Sequence, residues 1–215
     1  MSSNRHQHDT ALDKAETLAR PLYVIGCPRS GTTYTSKVLR AADYEVKHEQ
    51  VGADGTCDWR AIVRQIPDSA VVLHQIRHPL ACITSMQTLL VGSYNRLMST
   101  NAIKGNSFVP ARRIEVCARA WLFYNVQCEA IADASFRVES DEEWSTACQQ
   151  IGLPAIPRTG ISLTTNSRQH APKFRTYFDA PITLAMIENA AGSRIRTAIV
   201  RQAARYGYEL SAVDR

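Results

Sequence analysis

The chain is predicted to form an α/β fold with a mainly parallel central sheet flanked by helices, and three observations predict it. Short runs rich in β-formers, Pro21–Ile25 and Ala70–Ile76, have the length and apolar character of strands buried on both faces. Segments of helical period follow each of them. Loops rich in Gly, Ser, Thr, Asn and Pro, at 92–109 and 154–182, separate the later elements.

Residues 1–19 are polar and read as an N-terminal extension with a short helix at Ala11–Ala19, so that 20–215 form one domain. The strand Pro21–Ile25 stops at Gly26, and a helix runs from Thr32 to Ala42. Tyr44–His48 is a second short strand. Asp58 is a suitable N-cap for a helix reaching Ile66. After the strand Ala70–Ile76, Pro79 opens a helix where its missing N–H costs nothing. In the helix Pro110–Ala132, Ile114, Cys117, Ala118, Trp121, Asn125, Cys128 and Ile131 recur at steps of three and four. Phe136–Val138 is a strand, and the acidic stretch Glu139–Glu143 leads into a helix ending near Ile151, with Gly152 as its C-cap. A last helix, Ser193–Tyr206, closes at Gly207.

Composition narrows the function classes. With 215 residues and 45% apolar content the chain has enough material for a core, which excludes a disordered protein. No period recurs, which excludes collagen, coiled-coil and repeat architectures. No run approaches the roughly 18 apolar residues of a membrane span. The first 20 residues lack the apolar region of a secretory leader, so a cytoplasmic protein is expected. The net charge of +5 comes from 20 Arg and 5 Lys against 20 acidic residues. These arginines are scattered, with no basic run longer than Arg112-Arg113, so a nucleic-acid partner is not expected. Arginine grips phosphate through two parallel hydrogen bonds, which suits a small anionic ligand. The six cysteines have no C-x-x-C and the six histidines no H-E-x-x-H, so no metal is expected; the cysteines read as reduced, apolar core residues. Nothing in the composition sets an oligomeric state.

The sharpest motif is Gly26-Cys27-Pro28-Arg29-Ser30-Gly31-Thr32-Thr33, between a buried strand and a helix. Two glycines allow a tight turn and close approach to an anion. The N–H groups of Ser30 to Thr33 and the helix dipole point at it. Arg29 adds a full charge, and the hydroxyls of Thr32 and Thr33 add donors. The Lys-Ser/Thr pair of nucleoside triphosphatases is replaced by Thr32-Thr33. A second anion site is read at Arg77-His78-Pro79, with Ser85 eight residues after Arg77. Arg77 emerges at the carboxyl end of a parallel strand, and Ser85 lies two turns into the next helix.

Pro28-Arg29-Ser30-Gly31-Thr32-Thr33 resembles the 5′-phosphosulfate loop of sulfotransferases that use 3′-phosphoadenosine 5′-phosphosulfate (PAPS), in the Arg-bearing variant of tyrosylprotein and many bacterial members. Arg77 and Ser85 resemble that family's 3′-phosphate motif. Weaker echoes are Trp121 and Asn125, Phe136–Glu139 with Ile151–Leu153, and Tyr206–Tyr208, so the likeness covers about 21–210 and is specific only in 24–34 and 77–85. It implies a three-layer P-loop fold, PAPS as co-substrate, and binding by Pro28, Arg29, Ser30, Gly31, Thr32, Thr33, Arg77 and Ser85. Arg29 would also offset charge on the bridging oxygen.

Tyr34 stands where cytosolic members stack a Trp on adenine, with core packing as the alternative. The family's catalytic base follows the second strand, and this chain offers both Glu49 and His48 there, Glu49 matching the tyrosylprotein spacing. The family's late Arg-Lys-Gly segment is absent, and 168–175 is either a substitute over the nucleotide or a solvated basic loop. Residues 52–59 could line the acceptor site. The acceptor class stays open among carbohydrate, small molecule and peptide. A P-loop kinase or phosphotransferase and a non-catalytic binder of PAPS or its product are the alternatives.

Overall fold

The computed structural model describes residues 20–89, 110–161 and 181–210. The expectations at 11–19, 92–109 and 168–175 fall outside these residues. Five strands, β1 (Leu22–Gly26), β2 (Val46–His48), β3 (Gly55–Cys57), β4 (Val71–Ile76) and β5 (Ala134–Arg137), form an all-parallel sheet in the order β2-β3-β1-β4-β5. The helices are α1 (Thr32–Ala41), α2 (Pro79–Met86), α3 (Pro110–Glu129), α4 (Asp141–Gln150), α5 (Leu184–Ala191) and α6 (Ser193–Arg205). This is the α/β fold with a parallel sheet that the strand and helix alternation predicts.

Every residue of β1 and β4 is buried because both faces of the sheet are covered. Leu22, Val24, Val71 and Leu73 pack with Val38 and Leu39 of α1 and Trp144 of α4. Their strand neighbours point the other way, as the two-residue period requires. Tyr23, Ile25 and Val72 meet Cys128 of α3, and Ile76 joins a core built from Trp121, Tyr124, Ile83, Ile187 and Ile199. The six cysteines are free and buried.

Two elements arise from contacts distant in sequence. Strand β3 pairs Gly55, Thr56 and Cys57 with Leu22, Tyr23 and Val24. Gly55 has φ +137°, and a Cβ there would lie 1.9 Å from the Leu22 carbonyl oxygen, so only glycine fits. Helix α5, capped by the Thr183 hydroxyl accepting from the Met186 N–H at 3.2 Å, sinks Leu184 and Ile187 into the core with Ile83 and Trp121.

The helix expected over 58–66 is a correction. The chain forms only a 3₁₀ turn at Ala61–Val63. The Asp58 carboxylate, buried under the sheet edge, takes the Arg60 N–H at 2.8 Å and the Arg60 Nε at 2.9 Å. A capping residue thus closes one tight turn around an arginine rather than starting a helix.

Candidate phosphate-binding site

The carboxyl edge of the sheet brings together the loop after β1, the ends of β2 and β3, and Arg77 after β4. Open parallel sheets place their ligand sites along this edge. The loop after β1 is closed by Ser30 N–H donating to the Cys27 carbonyl at 2.9 Å. Helix α1 begins where the N–H groups of Tyr34 and Thr35 reach the Gly31 carbonyl, at 2.8 and 3.1 Å. Gly31 is the N-cap at φ +108° and brings no side chain to cap the first turn. A Cβ there would press 2.8 Å from the Gln75 Nε2 and 3.2 Å from the Val138 Cγ2, so the cradle requires glycine. Arg29 also sits in the left-handed region, at φ 68°, which is uncommon for a residue with a side chain.

The loop rests on the end of β4. Gln75, fully buried, donates from Nε2 to the Ser30 carbonyl at 2.8 Å and accepts from the Thr35 hydroxyl. Cys82 of α2 donates its thiol hydrogen to the Pro28 carbonyl at 3.4 Å. The Ser30 hydroxyl is buried with no hydrogen-bond partner. Polar atoms so enclosed are nearly always paired in folded proteins, which makes this one notable.

The two predicted anion motifs meet. Arg77 donates from Nη1 to the Arg29 carbonyl at 2.9 Å, and Arg29 donates from Nε to the Ser85 hydroxyl at 3.0 Å. Ser85, on α2, therefore reaches the loop after β1. Burial, and next the Arg77 guanidinium, push the Arg29 guanidinium below its ordinary value. Two guanidiniums at one junction are chemically suited to an anion.

At the end of β2 the two neighbours diverge. His48 Nε2 lies 3.2 Å from the Thr32 hydroxyl and 3.1 Å from the Thr33 hydroxyl. Glu49 follows at φ 58° and takes its partners from the segment after β3. Its Oε1 accepts from the Trp59 indole N–H at 2.8 Å, and its Oε2 stands 3.4 Å from the Arg60 guanidinium. A groove of about 630 Å³ opens beside β2, lined by Arg40, Tyr44, Glu45, Lys47, His48 and Gln50 among others. Tyr34 packs in the core with 5% of its surface exposed, and the Arg158 guanidinium carbon lies 5.9 Å from its ring centroid.

The weaker sequence echoes buttress Arg77. Trp121 donates its indole N–H to the Arg77 carbonyl at 3.4 Å, and Asn125 anchors the Trp121 carbonyl at 2.7 Å. Glu139 accepts the His78 N–H at 3.0 Å and the Tyr208 hydroxyl at 2.7 Å. Arg137 donates to the Gly207 carbonyl at 2.9 Å. Sequence reasoning missed Gln75 and Arg60. The signal for Gln75 was present, since a polar side chain next to His74 in an otherwise apolar strand implies a buried partner.

Among the described residues no group of His, Cys, Asp and Glu could hold a metal ion, and no helix is long and apolar enough to cross a membrane. No protein-family model, curated protein or solved structure matches the chain.

Proposed function

We propose that this protein is a sulfotransferase that moves the sulfuryl group of PAPS to a hydroxyl or amine and releases adenosine 3′,5′-bisphosphate. The observation that carries the reading is the junction of Arg29, Arg77 and Ser85, which ties two anion motifs 48 residues apart into one cationic floor. The residues fit such a nucleotide. Gly31 lets the loop turn tightly over Gln75 and Val138, the first turn of α1 offers amides and the hydroxyls of Thr32 and Thr33, and Arg77 with Ser85 supplies a second phosphate position.

The bound nucleotide supplies the sulfuryl group and a phosphate oxygen as leaving group. Glu49 takes the acceptor's proton as its oxygen or nitrogen bonds to sulfur. The Trp59 N–H and Arg60 fix that carboxylate. Arg29 offsets the negative charge gathering on the bridging oxygen as the sulfur–oxygen bond breaks.

Isothermal titration tests the reading. Adenosine 3′,5′-bisphosphate should bind tightly and Mg-ATP weakly, because Thr32 stands where a nucleoside triphosphatase has its phosphate-binding lysine. The reverse order would favour a phosphotransferase. Tight binding with no turnover across phenol, carbohydrate and peptide acceptors would leave a nucleotide-binding protein without catalysis.

A further inference from the structure

His48 stands where one nitrogen meets two hydroxyls of the phosphate loop. Its Nε2 is 3.2 Å from the Thr32 oxygen and 3.1 Å from the Thr33 oxygen. Each hydroxyl has one hydrogen to give. When Nε2 carries a lone pair, one of those hydrogens points at the ring and away from the cradle. An anion in the cradle is held best when both hydrogens face it. Nε2 meets that need when it carries a proton and donates to the hydroxyl oxygens, and the imidazolium does so while placing a positive charge beside the anion.

We infer that His48 is a positioning residue that takes up a proton when an anion enters the loop and returns it to solvent when the anion leaves. This rests on the reading of the loop after β1 as an anion site. It gives His48 a role separate from that of Glu49, although the two are adjacent in sequence.

The surroundings agree. Burial holds the imidazole below its ordinary value of 6.5. The charged groups facing it are Glu49 beyond β2 and Asp58 beyond β3, which favour the proton, and Arg60 and Arg29, which oppose it. From α1 it meets the neutral Thr32 and Thr33 hydroxyls, and Arg40 lines the same groove. An incoming dianion adds two negative charges on the hydroxyl side, so the imidazolium becomes the favoured form. The bound value then lies above the free value. Affinity is highest below the free value, declines as pH rises between the two, and levels off above the bound value.

Sulfate is the first probe, because it stays a dianion across this range and the only linked proton is the protein's. NMR titration of the imidazole C–H signals, with His48 assigned by the signal missing in His48→Gln, reads its titration with and without saturating sulfate. The expected result is an upward shift of about one pH unit, matched by a roughly tenfold loss of sulfate affinity across the window. The Gly31 amide reports occupancy in the same spectra. A Gly31 amide that moves with sulfate while His48 titrates unchanged overturns the coupling alone. A Gly31 amide that does not respond overturns the anion site and the coupling together. Adenosine 3′,5′-bisphosphate is the second probe. Proton uptake measured in buffers of different ionisation enthalpy should be present in the native chain and lost in His48→Gln. Equal uptake in both would overturn the assignment to His48.

Discussion

Arg29 and Arg60 leave the same carboxyl edge of the sheet, one after β1 and the other after β3, in opposite electrostatic surroundings. Arg60 is clasped by Asp58, with Nε 2.9 Å from Oδ1 and Nη2 3.1 Å from Oδ2, and it lies 3.4 Å from Glu49. Its guanidinium is raised above the ordinary value, first by the Asp58 hydrogen bond. The Arg29 guanidinium is lowered, first by burial and then by Arg77. One arginine is neutralised inside the fold, while the other adds to a concentration of positive charge. The first is an internal brace. The second stands beside another guanidinium, and the proposed anion site rests on that arrangement.

Substitutions at the two places should separate along this line. The largest effect is expected at the neutralised end, where Glu49→Gln keeps the shape and removes the proton acceptor. Turnover should fall by about 10²- to 10⁴-fold while adenosine 3′,5′-bisphosphate binds as before. Titration calorimetry beside a sulfuryl-transfer assay reads both, and surviving turnover would move the base elsewhere.

Asp58→Ala comes next, because it removes the buried carboxylate that clasps Arg60, its side chain only 5% exposed, and leaves that guanidinium with Glu49. Denaturant unfolding should show a loss of about 3 kcal/mol. Arg29→Met should leave stability unchanged or slightly raised, since it relieves repulsion with Arg77. Equal destabilisation by the two would erase the contrast. Arg77→Ala should weaken adenosine 3′,5′-bisphosphate by about 10- to 150-fold, the loss of one charge-assisted contact of ~1.5–3 kcal/mol.

The same contrast explains what could be read from the sequence. Arg29, Thr32, Thr33, Arg77 and Ser85 lie in two contiguous motifs directly after apolar strands, so local spacing suffices to find them. The brace around Arg60 depends on β2 and β3 lying side by side. Strand β3 is three residues long and begins with glycine, so it has no period to detect. It exists because its backbone pairs with β1 and β2. Asp58 looks like a helix cap in isolation, and only the fold shows that its carboxylate is occupied by Arg60. Helix α5 follows a loop-like composition, and its anchor, Ile187, is buried against distant residues.

Trp59→Phe is the smallest and most discriminating change. Trp59 is 6% exposed, and its ring packs edge-on to Tyr124 at 5.7 Å between centroids. Phenylalanine retains apolar bulk there and removes the one indole N–H that holds Glu49 Oε1 at 2.8 Å. A hydrogen bond to a charged group is worth about 1.5–3 kcal/mol, but Glu49 keeps Arg60 and is partly exposed, so the net effect should be near 1 kcal/mol. Turnover should drop about fivefold, with nucleotide affinity and the pH dependence of sulfate binding unaltered. If nucleotide affinity fell instead, the two ends of the site would be one coupled unit. The division between an anion-gripping loop and a separately braced carboxylate would then be wrong.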